Sequence, residues 1–147
     1  MAPRNDRMRT KKRILILCPD GSSTQVIQEA TRNWPVLETI VCPSVQEARS
    51  HLADSDIHLI FCQDCLRDGS YRDLLELLKS LTRDVPVILV VPAEDRDFAL
   101  REAWANGVFD IVASPCTRQD IQWMIIRTMQ HLKAQESLLR VKTSYAS

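Results

Sequence analysis

No stretch of the 147-residue sequence approaches the ~18 consecutive apolar residues that a membrane span needs. The N-terminus also lacks the apolar core of a secretion signal, because its charges are followed only by the short run Ile14 to Cys18. Both absences lead us to expect a cytoplasmic protein with no membrane partner. Net charge is lacking too, since 19 basic residues offset 19 acidic ones. The balance hides an asymmetry. Arg4, Arg7, Arg9, Lys11, Lys12 and Arg13 face only Asp6 in the first segment, so that segment carries about +5 and the remainder about −5. An acidic body argues against nucleic acid as a partner, because phosphate contact needs a basic face. Only three glycines are present, and none belongs to a Gly-x-Gly-x-x-Gly or Walker-type phosphate loop. The three histidines, His51, His58 and His131, lie far apart and show neither ligand spacing nor a Ser/His/Asp set. Five cysteines, an odd number without a secretion signal, read as reduced thiols. There is no internal repeat and no low-complexity segment.

What is present alternates. The run Arg13 to Cys18 is continuously apolar after its first residue, as in a strand buried on both faces. Pro19–Asp20–Gly21–Ser22 break it, and Thr24 to Arg32 has helical spacing that stops at Asn33–Trp34–Pro35. Leu37 to Cys42 reads as a second strand. Ser44 with Glu47 marks a second helix. Ile57 to Cys62 is a third strand, followed by a loop from Gln63 to Gly69. Ser70 with Asp73 opens a third helix, and Pro86 introduces the strand Val87 to Val91. Asp97 to Ala105 predicts a short helix ending at Asn106–Gly107. Phe109 to Ala113 predicts a fifth strand, and Thr117 with Asp120 caps a last helix.

Five strands and five helices in alternation leave few solutions. Parallel neighbours need right-handed crossover helices, and helices must cover both faces. The expectation is an α/β fold: a five-stranded, doubly wound parallel sheet in the order 2-1-3-4-5. We divide the chain into a flexible basic arm (1–11), the α/β domain (12–133) and a helical extension (134–147).

Three segments resemble bacterial two-component response-regulator receiver domains, the chemotaxis-regulator (CheY-like) type. Leu66–Arg67–Asp68–Gly69–Ser70 through Leu75 is similar to the family's loop into the third helix. Asn106 to Pro115 is similar to its Gly-Ala-x-Asp-Tyr-Leu-x-Lys-Pro, and Pro86 to Val91 to its Pro-Val-Ile-x-Leu-Thr. The resemblance implies a pocket at the carboxyl ends of the strands. There, two acids hold Mg²⁺, an Asp accepts a phosphoryl group, and a hydroxyl and a Lys grip it.

Here the matching positions read differently. The acid pair falls on Cys18 and Pro19, with Asp20 next in line. The acceptor falls on Gln63, the hydroxyl position on Val91 and the Lys on Ser114. The aromatic switch position falls on Ile111. The matching Pro115 implies a cis Ser114–Pro115 bond. A one-residue slip would make Asp64 the acceptor, with Asp20 and Asp64 as a weak metal pair; only then is Mg²⁺ implied, and no other cofactor is.

The expected function is a degenerate, phosphorylation-independent, non-enzymatic receiver acting by protein contact. Its partner would be a histidine kinase, an output protein or a second copy in a homodimer. The resemblance places the partner face on Trp104, Ile111 and Trp123. Alternatives are a phosphorelay receiver using Asp64, and a redox, metal or small-ligand sensor using Cys18 and Cys65. The pair Cys62 and Cys65 in Cys-x-x-Cys is expected to split across the sheet, with burial of Cys62 as a small hydrophobe.

Overall fold

A computed structural model describes residues 11–146; all but the last residue of the expected basic arm, and Ser147, lie outside the described residues. The elements are β1 (Lys12–Leu17), α1 (Gly21–Thr31), β2 (Leu37–Val41), α2 (Val45–Asp54), β3 (Ile57–Gln63), α3 (Tyr71–Ser80), β4 (Val87–Pro92), α4 (Arg96–Asn106), β5 (Asp110–Ser114) and α5 (Arg118–Ala146). The strands pair in parallel in the order β2-β1-β3-β4-β5, as the alternation requires.

Strand alternation divides the core in two. Leu15, Leu17, Ile60, Cys62, Leu89, Val91 and Ile111 point to one face, where α2, α3 and α4 cover them with Leu52, Leu74, Leu78 and Ala103. Ile14, Ile16, Leu59, Phe61, Ile88, Val90 and Val112 point to the other, under Ile27 and Ala30 of α1 and Ile121 and Ile125 of α5. Burial on both faces is why these strands carry unbroken apolar runs. Among the described residues no helix is long and apolar enough to cross a membrane.

Local signals set the boundaries. Asp20 accepts from Ser22 N–H and starts α1 at Gly21, three residues earlier than its apolar spacing suggests. Ser70 and Asp73 form a reciprocal capping box on α3, and Thr117 and Asp120 exchange the same bonds before α5. Gly107, at φ +95°, ends α4. The Ser114–Pro115 peptide is cis, as expected. The segment expected as a loop after β3 holds a two-residue antiparallel ladder between Cys65–Leu66 and Gly69–Ser70.

One irregularity interrupts the sheet. Between β1 and β3 the register shifts: Arg13 pairs with Ile57 and Ile14 with Leu59, so His58 is an extra residue. Its Nδ1 accepts the Arg13 backbone N–H at 3.2 Å. His58 is half-buried, and burial lowers its pKa from the usual histidine value, with Lys12 adding to the effect.

Candidate functional site

The carboxyl ends of β1, β3, β4 and β5 meet where a doubly wound sheet offers its ligand crevice. Cys18 and Pro19 follow β1 directly. Cys18 is buried, and its carbonyl accepts from Thr24 Oγ1 at 3.0 Å. The Asp20 carboxylate is committed to the start of α1, accepting from Ser22 N–H at 3.1 Å and from Ser22 Oγ at 2.9 Å. Its backbone N–H donates to Gln63 Oε1 at 2.9 Å. Gln63, the last residue of β3, therefore holds the β1–α1 turn against the sheet. Val91 is buried beside Ala113, and Ser114 pairs with Pro92 one step further out.

Asp64 is exposed. With Gln63, Val91 and Cys65 it lines a cavity of about 440 Å³ between α3 and α4, whose lining does not include Cys18 or Asp20. The structure thus brings Asp20 and Gln63 together, and it separates Asp64 and Cys65 from Cys18. The expectation that Cys18 and Cys65 share a site is corrected: Cys18 sits in the layer beneath α1 and α5, and Cys65 is exposed on the α3–α4 side. The expected split of Cys62 and Cys65 across the sheet is corrected as well. Cys62 is buried in the core on the α2–α4 side, and the short ladder after β3 brings Cys65 to that same side, on its surface. The Asp20 and Asp64 pair does not fit a magnesium ion either. Asp20 is spent on the helix cap, and among the described residues no cluster of three or more His, Cys, Asp or Glu could hold a metal.

Four of the five thiols are chemically quiet. Burial, with Cys116 and Asp20 adding charge repulsion, pushes the Cys18 thiol up to about 12. Burial raises Cys62 well above the usual thiol value and raises Cys42 and Cys116. The thiolate is the nucleophile and metal ligand, so groups held protonated are inert.

Several residues whose contacts the motifs did not show shape this edge. Asp68 accepts the N–H groups of Val45 and Gln46 at 2.8 and 3.0 Å, pinning the β3–α3 segment to the start of α2. These bonds, Val45 first, lower its pKa from the usual aspartate value. Asn106 Nδ2 donates to the Tyr71 hydroxyl at 3.1 Å, and Arg72 pairs with Glu102, so α3 and α4 are joined across the cavity mouth. Both are long-range pairings with no local sequence signature.

On the far edge of the sheet, Trp104 of α4 is 48% exposed and Trp123 of α5 is 70% exposed, flanking the edge strand β5. Ile111, expected to share that face, is 3% exposed and packs inward on the α2–α4 side. It is not open to a partner, because the helices of that face cover it.

No family model matches the sequence, and no curated protein matches it. Solved structures do match by shape. A signal receiver domain from Vibrio parahaemolyticus aligns with a TM-score of 0.76 at 16% identity, over 87% of this chain and 97% of that one. A two-component response regulator from Clostridium difficile aligns at 0.71 and 17%, over 83% and 98%. One of a family of streptococcal redox sensors evolved from two-component response regulators aligns at 0.73 and 17%, over 86% of this chain and 54% of that one. The chain has the fold of receiver domains.

Proposed function

We propose that this chain is a receiver-type signalling module that acts by protein contact and does not accept a phosphoryl group. The observation that carries this reading is the Gln63 side chain. It stands at the carboxyl end of β3, where the resemblance places the acceptor carboxylate, and its amide oxygen is engaged by Asp20 N–H. An amide offers no carboxylate to attack phosphorus and form an acyl phosphate. Two neighbours agree with it. Val91 has no hydroxyl to donate, and Ser114 brings no positive charge to offset added negative charge. Magnesium would find one carboxylate, Asp20, already bonded to its own helix.

Contact with a histidine kinase, an output protein or a second copy then falls to exposed surface. Trp104 and Trp123 are the best candidates, because exposed tryptophans flanking a strand edge are typical energetic anchors of interfaces. A redox role, the one named for the streptococcal neighbour, finds no support in Cys18 and Cys62, which burial holds protonated.

The test is intact mass after incubation with Mg²⁺ and acetyl phosphate, beside an active receiver. An unchanged mass is expected. A gain of one phosphoryl group that disappears in Asp64→Asn would overturn the proposal in favour of a phosphorelay receiver using Asp64.

A further inference from the structure

The cavity of about 440 Å³ between α3 and α4 combines an apolar interior with a charged rim. Leu89 and Val91 of β4 line it from the core, with Tyr71 and Ala99 beside them. Its charged residues are Asp64, Arg72, Asp95 and Glu102. Arg72 is already committed: it pairs with Glu102, and its guanidinium carbon lies 5.3 Å from the centre of the Tyr71 ring. Asp64 and Asp95 are exposed. Asp95 precedes α4 as its N-cap, where an aspartate ordinarily accepts from the helix N–H groups, yet its side chain makes no such bond. Among the described residues neither carboxylate has a hydrogen bond or an ion pair. Phe98 follows Asp95 by one helical turn and is 85% exposed, more than Trp104 or Trp123. Asp95, Phe98, Ala99 and Glu102 stand three and four residues apart, so one face of α4 is turned to the cavity.

We infer that this cavity binds a small organic cation, an amine or guanidine carried on an apolar body. Three carboxylates against one guanidinium repel an anion and attract a cation. Leu89, Val91 and Ala99 give the body of such a ligand apolar surface on which to leave water. Asp64 and Asp95 then meet the charge at the rim, and the exposed face of Phe98 adds the attraction of an aromatic ring for a cation. The volume lies in the range of small-molecule sites, about 300–1,000 Å³. A metal ion would leave the apolar lining unused, and among the described residues it finds no set of three His, Cys, Asp or Glu ligands. The inference goes beyond the function proposed above and does not rest on it, because it turns on Asp95 and Phe98 and needs no phosphoryl chemistry.

The test is an NMR titration of the full chain with phenylbutylamine, beside phenylbutanol and phenylbutyrate, which share its body and differ in charge. The amine is expected to shift the amide signals of Asp64, Asp95 and Phe98 and to bind about fivefold tighter than the alcohol, with the carboxylate weakest. Asp64→Asn with Asp95→Asn should weaken the amine about fivefold and leave the alcohol unchanged. Phe98→Ala should weaken both, and Asp97→Asn, on α4 but outside the lining, should change neither. Bound amine should also slow the reaction of Cys65 with maleimide, because Cys65 lines the cavity. No binding at ~5 mM amine overturns the proposal. So does equal binding of the three probes, amine binding that survives loss of both carboxylates, or bound amine that leaves Cys65 unshielded. The titration reads neither phosphoryl transfer nor partner contact, so its failure leaves the proposed function intact.

Discussion

Asp20 donates its backbone N–H to the side-chain oxygen of Gln63 at 2.9 Å, across 43 residues of sequence. This one bond fixes the turn after β1 to the end of β3 and occupies the atom that chemistry at this edge would have to use. Replacing Gln63 with Leu removes the acceptor while keeping bulk. The loss should be about 0.5–1.5 kcal/mol by urea denaturation. Gln63→Asp should still give no acetyl phosphate adduct by intact mass, because Val91 and Ser114 leave an added phosphoryl group uncompensated.

Asp68 makes stability acid-sensitive. Its folded pKa lies below the usual aspartate value because the Val45 and Gln46 N–H groups stabilise the charged form. That contribution is present in full above the unfolded aspartate value, about 4, and is lost as pH falls through the folded value. Urea midpoints at pH 6 and pH 3 should therefore lie closer together in Asp68→Asn than in the wild type. An unchanged gap would assign the acid loss to other carboxylates.

His58 should titrate below the usual histidine value, about 6.5, in an NMR pH series, because burial disfavours its charged form. A lowered folded pKa means that stability is full above about 6.5 and falls as protonation proceeds. His58→Leu should remove that dependence. It should also cost about 1 kcal/mol at pH 8, since the Arg13 N–H loses the Nδ1 acceptor at the sheet irregularity.

Native thiol titration at pH 7.5 should find one fast cysteine, Cys65, which is exposed. Cys18, Cys42 and Cys62 are buried with raised pKa values and should react only at the unfolding rate. A second fast thiol at Cys18 would reopen the sensor reading.

Two backbone positions should respond with opposite signs. Gly107 holds φ +95° at the end of α4, and a Cβ there meets nothing within 4 Å, so Gly107→Ala should cost about 1–2 kcal/mol from the backbone alone. Thr82, after α3, holds φ +53° with a branched side chain. Thr82→Gly should gain up to ~1 kcal/mol by relieving that strain, measured as a rise in thermal midpoint.

The alternation of elements, the strand order and the caps of α2, α3, α4 and α5 are legible in the residue order. Each depends on residues within a few positions of one another or on the crossover rule: Ser70 with Asp73, Gly107 after Asn106, the apolar run of Val87 to Val91. What the remaining residues do was settled by the packing of distant elements. Asp20 turns its carboxylate back to α1, and Asp64 and Cys65 line a cavity while Cys18 is buried in the core. Ile111 is buried while Trp104 and Trp123 are not, and Asp68 caps a helix 23 residues earlier. Periodicity reports which face a side chain takes within its own element, but not what another element brings to meet it.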